Sequence, residues 1–369
     1  MRDAQKKILL VHLYSNGDCL YATTVAKQIK KDYPGCHLTW AVATFCKNII
    51  ANNPDVDALM EVDSVKKDDA AAFSKFRKEI LDIKNKGAFD EVFITQIQGK
   101  NLAYYDGCIR SNILAAYPKP ITVSKKPVLH LFAGEIANAD SFAEQHQLKN
   151  YSHVILFEYA PLSGQLKITK EMALSIADNL TDDPDIAVIL SSANKISHTK
   201  KNIIDGSVLS VRETAALTHY CTFLLGCSSG ITWITTSEAA KLLPMVQILD
   251  ADAVWINPVS RDFERNGFST SGVIELIDFN KKSLMDCVKA ALQNFTEAKR
   301  KYNQPIPLQF KTTRRIVYNL LVYLHFAAIV RHVKVNKKIY GNNPAIYKEV
   351  FIGVVTAPFK LCMNIFKKK

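Results

Sequence analysis

Several sequence patterns that would assign this 369-residue chain directly to a known class of protein are missing. No stretch reaches the ~18 uncharged apolar residues that a membrane-spanning helix needs, and the opening segment reads as a strand rather than a secretory signal. The absence of G-x-x-x-x-G-K-[ST] and G-x-G-x-x-G argues against a P-loop nucleotidase and a standard dinucleotide site. The eight cysteines contain no C-x-x-C pair. We therefore expect reduced thiols, a cytoplasmic protein and no metal site.

Acidic residues are almost missing from the last seventy positions. From Arg300 onward there are 14 lysines and arginines against one acid, Glu349, whereas the first 299 residues hold 33 basic and 34 acidic residues. The whole excess of positive charge therefore lies in the tail. A basic tail of this kind indicates an anionic partner surface, either membrane or nucleic acid.

The tail also contains an apolar stretch from Ile316 to Val330, interrupted by Asn319 and His325. The stretch is too short to span a bilayer but is typical of a helix lying at a membrane surface. We therefore expect residues 311–369 to meet an anionic membrane, since their apolar content fits lipid better than nucleic acid. A helix packed on the first domain is the alternative.

Strand and helix patterns alternate along the body of the chain, which predicts right-handed crossovers and parallel sheets. A polar stretch at 134–152 reads as a linker, and the alternation restarts at "HVILFEY". The predicted class is α/β with two Rossmann-like domains and a helical tail. The predicted bounds are 1–150, 151–300 and 301–369.

In open parallel sheets, ligands bind beyond the carboxyl ends of the strands. The first such turn is Ser15-Asn16-Gly17-Asp18, where Gly17 allows a tight turn into a helix. Asp18 suits a helix cap, which would lower its pKa. It equally suits a general base that takes a proton from an acceptor hydroxyl.

Two more turns carry small or basic residues. Ser228, Ser229 and Gly230 follow an apolar strand and open a helix, so a phosphate could approach the backbone there, although an ordinary serine cap is the alternative. Ser163 and Lys167 follow the first strand of the second half, and the lysine could pair with a diphosphate or simply lie in solvent.

Three other features give weaker indications. Glu158 ends its strand and could face a ligand or lie at the rim. The string Asp183-Pro184-Asp185 is best explained as a turn, although D-x-D can hold a metal-bound sugar nucleotide. His12 lies on the first strand and is expected in the core.

With these turns in place, "ILLVHLYSNGDCLYATTVAKQIKKDYPGCHLTWAVA" resembles the opening of glycosyltransferase family 9, the heptosyltransferase-like enzymes. The stretch "GSVLSVRETAALTHYCTFLLGCSSGITWITTSEA" is similar to the family segment that meets the donor nucleotide. The resemblance covers roughly Lys7 to Asp250.

The resemblance implies a GT-B fold, two Rossmann-like domains facing a cleft, and inverting sugar transfer without metal or other cofactor. Asp18 matches the family's catalytic base, and Ser15, Asn16 and Gly17 fall on the acceptor side. On the donor side, Lys167 matches the residue that pairs with the diphosphate, and Ser229 and Gly230 match the phosphate-side turn.

This chain departs from the family on the donor side. Ser228 stands where the family usually has Asp, Trp233 where a His commonly follows, and "LKITK" replaces a "KRWP"-like run. The nucleotide base and the sugar therefore stay open.

The expected function is transfer from a nucleotide sugar to a (lipo)polysaccharide or lipid-linked glycan at the inner face of the plasma membrane. The alternatives are a nucleotide-sugar epimerase on the same scaffold and a non-catalytic, membrane-anchored binding protein.

Overall fold

The computed structural model describes residues 5–67, 69–159, 168–250, 258–277, 280–306 and 310–366, with side chains as far as 358. Ten strands lie within these ranges: β1 Lys7–Val11, β2 His37–Val42, β3 Ala58–Glu61, β4 Glu91–Ile94, β5 His153–Glu158, β6 Ile186–Ser191, β7 Ile203–Asp205, β8 Phe223–Gly226, β9 Met245–Ile248 and β10 Val273–Leu276.

Fourteen α-helices lie within the same described ranges: α1 Asn16–Asp32, α2 Lys47–Ile50, α3 Ala70–Asn85, α4 Ile109–Ala115, α5 Ala133–Gln145, α6 Lys170–Leu180, α7 Val211–Leu217, α8 Gly230–Ile234, α9 Val259–Asn266, α10 Lys281–Gln293, α11 Phe295–Tyr302, α12 Lys311–Val322, α13 Phe326–Tyr340 and α14 Pro344–Phe366. Short 3₁₀ turns connect some of them, including Gly99–Tyr104.

The chain forms two units. Unit 1 comprises Met1–Ile50, Pro54–Lys125 and Pro307–Lys369, and unit 2 comprises Ala51–Asn53 and Lys126–Ile306. Each unit is built on its own parallel sheet.

The sheet of unit 1 has four parallel strands in the order β3-β2-β1-β4. Strand β1 lies between β2 and β4 and is buried from its second residue on, which explains its uninterrupted apolar sequence. Helix α1 begins at Asn16, with Ser15 at the cap position, and buries ten of its residues. Ser15 therefore holds the cap position that the sequence suggested for Asp18, and Asp18 lies in the first helical turn.

The tail helices belong to unit 1. Helix α12 buries Ile316, Val317 and Leu320, and Arg314 pairs with Glu349 of α14 at 2.9 Å. The expected single stretch from Ile316 to Val330 is broken at residues 323–325, where Leu324 adopts a φ of +56°. The first part of the stretch therefore packs on the body of unit 1, as the alternative interpretation expected.

The sheet of unit 2 has six parallel strands in the order β10-β9-β8-β5-β6-β7. Its central strands are mostly apolar and pack on α6 and α10 in one continuous core. Strand β10 at the edge was not predicted, although its sequence "VIEL" is mostly apolar. Because β5 pairs in parallel with both β6 and β8, the carboxyl ends of these three strands lie along one edge of the sheet.

The stretch predicted as a linker contains a helix. Residues 133–145 form α5, in which Ala139, Phe142 and Ala143 are buried. The stretch looked polar because a helix needs only one apolar stripe. The chain passes from unit 1 to unit 2 near residue 125, whereas the sequence predicted a domain boundary at 150.

Candidate functional site

The first strand-to-helix turn is held in place by a buried glutamine. The side-chain oxygen of Gln96 accepts hydrogen bonds from the backbone N–H groups of Leu13 and Tyr14, at 2.8 and 3.2 Å. Its Nε2 donates to the carbonyl of Tyr14 at 2.8 Å. Because the amide satisfies both kinds of backbone group, the segment leading into α1 is fixed against the end of β4.

Asp18 lies in the first turn of α1 and is half-buried. Burial raises the pKa of Asp18 to about 6, and the charge of Lys67 and a backbone hydrogen bond with Ser15 only partly oppose it. The expectation that a capping role would lower this pKa was wrong, because the loss of solvent contact outweighs the neighbouring groups that favour the carboxylate. At neutral pH the carboxylate is therefore ionised yet more basic than an exposed aspartate.

The other residues of the turn carry polar groups next to Asp18 in the sequence. Ser15 makes no capping hydrogen bond with its side chain. The Oδ1 atom of Asn16 is buried and has no hydrogen-bond partner among the described residues. Asn16 is thus an acceptor beside Asp18 that a ligand hydroxyl could satisfy.

The turn after β8 is organised around another buried carboxylate. Glu158, at the end of β5, accepts hydrogen bonds from the backbone N–H groups of Ile231 and Thr232 at 3.1 and 3.2 Å. The hydroxyls of Ser229 and Thr232 also donate to it. Burial raises the pKa of Glu158, while these four hydrogen bonds lower it and only partly compensate.

Gln247 completes this network from β9. Its Oε1 accepts from the backbone N–H of Ser228 at 2.7 Å, and Ser228 adopts a left-handed φ of +54°. A Cβ at Gly226 would lie 2.6 Å from Oγ1 of Thr232 and 2.9 Å from Nε2 of Gln247. Glycine is therefore required at this position by close packing.

These contacts show what the predicted phosphate-side residues do in the structure. The hydroxyl of Ser229 and the backbone N–H of Ser228 are used by Glu158 and Gln247, respectively. Gly230 is half-buried and has open space beside its Cα. Of the three, Gly230 is therefore the residue that a ligand could approach. Ser163 and Lys167 lie outside the described residues.

The network around Glu158 gives a stability prediction. Glu158→Ala leaves buried donors on Ser229, Ile231 and Thr232 without their acceptor, so we expect a loss of about 2 kcal/mol in the free energy of unfolding. Denaturant titration measures this loss. The substitution Ser197→Ala, at an exposed position in a surface loop of the same unit, should change stability by less than about 0.5 kcal/mol.

The raised pKa also gives a pH dependence. Between the unfolded and folded pKa values the folded state holds more protons on Glu158, so its contribution to stability falls as pH rises through that window. Glu158→Gln should remove this dependence. Parallel pH dependences for wild type and Glu158→Gln would show that the carboxyl is not the titrating group.

Two further expectations concern polar residues away from these turns. His12 is fully buried, bonds Oγ1 of Thr95 at 3.0 Å, and burial lowers its pKa to about 3, so it is a neutral core residue as predicted. Asp183 accepts from the backbone N–H of Asp185 at 3.0 Å, which confirms the turn.

No family model matches the sequence, and no curated protein matches it. Several solved structures are similar, and two of them have TM-scores above 0.5. A glycosyl transferase family 9 protein from Veillonella parvula DSM 2008 has 16% identity and a TM-score of 0.54, covering 80% of this chain and 94% of that one. The E. coli ADP-heptose LPS heptosyltransferase II has 13% identity and a TM-score of 0.51, covering 78% and 99%.

At these identities the likeness shows the fold. The chain has the GT-B fold of these glycosyltransferases, with two parallel-sheet α/β domains and, here, a helical tail. The fold predicted from the sequence is confirmed.

Proposed function

We propose that the chain is a heptosyltransferase-like glycosyltransferase that moves a sugar from a nucleotide-sugar donor to a hydroxyl of a glycan acceptor. The observation that carries the proposal is Asp18, a half-buried carboxylate of raised pKa at the first strand-to-helix turn of a family 9 fold. An aspartate with a pKa of about 6 is ionised at neutral pH and holds a proton better than an exposed one, as a general base must.

The proposed step is a single displacement. Asp18 takes the proton of the acceptor hydroxyl while that oxygen forms a bond to the anomeric carbon of the donor sugar. The bond from that carbon to the diphosphate breaks, and the nucleoside diphosphate leaves with the electron pair. Attack opposite the leaving group inverts the anomeric centre. Asn16 would orient the acceptor by taking a hydrogen bond from a neighbouring hydroxyl of the acceptor at its unsatisfied Oδ1. The expectation that no metal takes part, implied by the family resemblance, stays a prediction.

On the donor side we propose that the diphosphate approaches Gly230, where the structure leaves open space. Lys167 and Ser163 stay predicted donor contacts. Glu158 is fixed close to this turn and disfavours additional negative charge, so donor binding would require the carboxyl to be protonated or countered by a cation such as Lys167.

A thermal-shift screen of the full chain with ADP, UDP, GDP and CMP sugars tests nucleotide binding. We expect one base to raise the Tm by several degrees. Gly230→Val should keep the wild-type Tm and lose that rise, because its side chain fills the approach to the turn. Gly134→Val, at an open position of α5, is the matched control and should keep the rise. Absence of a shift with every nucleotide would contradict the proposal.

We further propose that the tail brings the enzyme to an anionic membrane, on the inner face of the plasma membrane, and that the acceptor is lipid-linked. In α13 and α14, Phe326, Val330 and Phe351 are exposed by 59, 55 and 68%, and exposed lysines follow at 334, 337 and 338. Apolar residues beside basic ones favour the surface of an anionic leaflet. Within the described residues, no helix has both the length and the apolar character that crossing a bilayer demands.

Vesicle co-sedimentation tests the membrane proposal. The protein should bind phosphatidylcholine vesicles that contain about a third phosphatidylglycerol. Binding should weaken as the salt concentration rises. Phe326→Ser with Phe351→Ser should weaken it by about tenfold or more. Phe45→Ser removes a side chain that is 62% exposed outside the tail and should have no effect. An equal loss in both variants would refute a role of the tail.

A further inference from the structure

Unit 1 contains a cavity of about 390 Å³ that the proposed sugar transfer does not use. It lies along β4, between α3, the 3₁₀ turn Gly99–Tyr104 and the corner where α12 gives way to α13. None of the residues 15–18 lines it. The body and the tail of unit 1 both contribute to its walls.

The cavity collects basic side chains from three separate parts of the chain. Arg77 comes from α3, Lys100 from the 3₁₀ turn, and His325 and Arg331 from the tail. Within the part of the chain that the structure describes, neither Arg77 nor Lys100 has a carboxylate partner. The one carboxylate among the lining residues, Glu91, is bonded to Lys84 at 2.9 Å.

The positive charges act on one another. Burial, followed by the charges of Arg77 and Arg331, lowers the pKa of Lys100. Burial, followed by the charges of Arg77 and Lys100, lowers the pKa of His325. Folding thus brings like charges together at a cost, and a bound anion would remove that cost.

The walls also include a rigid polar group and an apolar surface. Nη1 of Arg331 bonds the hydroxyl of Tyr104 at 2.9 Å and the guanidinium lies 5.2 Å from the centre of that ring. Phe73 and Phe93 form the buried side of the cavity, and Leu81 and Tyr323 its more exposed rim. An anionic group would find its charge matched, and an attached carbon skeleton would find apolar contact.

We propose that this cavity binds a phosphate group carried on a partly apolar ligand. A phosphate suits it because two arginines offer forked donors and a lysine offers a compact charge, which together match a group bearing up to two negative charges. The proposal does not depend on the assignment of Asp18 or on sugar transfer.

A hydrogen bond connects the cavity to the first strand-to-helix turn. Gln98 lines the cavity, and its Nε2 donates to the hydroxyl of Tyr14 at 3.3 Å. Tyr14 immediately precedes the turn that carries Asp18. A ligand that orders the Gln98–Lys100 segment would therefore also restrain the approach to that turn.

Calorimetric titration of the full chain with hexyl phosphate tests the proposal. We expect binding that Arg77→Gln with Lys100→Gln weakens by about tenfold or more. Lys75→Gln with Lys78→Gln removes the same charge from the exposed side of the same helix and should leave the affinity within about twofold. Arg331→Gln, at an exposed side chain, gives a second loss that does not depend on how the double variant folds.

Further ligands separate two sources of the same chemistry. Tighter binding to phosphatidylcholine vesicles with phosphatidic acid assigns a lipid headgroup, whereas tighter binding to glucose 1-phosphate assigns a soluble sugar phosphate. Both results support a phosphate site if the Arg77 and Lys100 substitutions weaken them. Failure of wild type to bind any of the three, or an equal loss in the Lys75 and Lys78 variant, would overturn the proposal.

Discussion

Asp18→Asn should lower the rate of sugar transfer by about 10²- to 10⁴-fold, the usual contribution of a general base. The amide keeps the shape of the side chain but cannot accept the proton of the acceptor hydroxyl. Nucleotide binding should persist, because the substitution lies in unit 1 and the proposed donor contacts lie in unit 2. The measurement is the initial rate of nucleoside-diphosphate release in the presence of acceptor, with the nucleotide shift recorded in parallel.

The pH dependence sharpens this prediction. The wild-type rate should rise as pH increases through about 6, because only the ionised carboxylate can take a proton. The residual rate of Asp18→Asn should lack that rise. Asp286→Asn, at an exposed position of α10, is the matched control and should keep the full rate and profile. A binding protein would show no acceptor-dependent release in either form. Full activity of Asp18→Asn would show that the aspartate is not the general base.

Arg212→Leu should lower the free energy of unfolding by about 3–5 kcal/mol, the usual cost of breaking a buried ion pair on one side. Arg212 is buried, and its Nε and Nη2 bond the carboxylate of Glu135 at 2.7 and 2.9 Å. Its Nη1 also donates to the carbonyl of Ala51 at 3.1 Å. The substitution leaves Glu135 without its cation and the carbonyls of Ala51 and His130 without their donor. Denaturant titration of the full chain measures the loss.

The dependence of stability on pH in the acid range provides a second test of this ion pair. Burial tends to raise the pKa of Glu135, but the hydrogen bonds and charge of Arg212, with one backbone bond, lower it overall. The stabilisation is therefore present above about pH 4.5, the unfolded value, and is lost as pH falls through the lower folded value. Arg300→Leu, which breaks an exposed pair with Glu297, should cost less than about 1 kcal/mol. A similar small loss for Arg212→Leu would contradict the assignment.

The fold was predictable because its signals are local. Continuous apolar strands such as "KILLV" and the helices between them indicate parallel sheets without knowledge of any contact. The stretch at 134–152 was misassigned because α5 buries only a narrow stripe. The partner of its Glu135, Arg212, lies 77 residues further along the chain. A pairing over such a distance leaves no pattern in either segment.

The candidate site was predictable in its turns and less so in its contacts. The Ser-Asn-Gly-Asp sequence located the first turn, but the sign of the pKa shift of Asp18 depends on burial, which the sequence does not reveal. Gln96 and Glu158 were not assigned their roles, since each acts on a segment more than seventy residues away. Both are polar residues at or just beyond the carboxyl end of an apolar strand, and this is the one signal that they share.

The central claim concerns the carboxyl of Asp18, and direct titration tests it without knowledge of the donor or the acceptor. Carbon-13 NMR of aspartate-labelled protein, compared with Asp18→Asn, identifies that carboxyl and follows it with pH. The account predicts a midpoint at about 6. A midpoint at or below 3.8, the ordinary value for an aspartate, would contradict it.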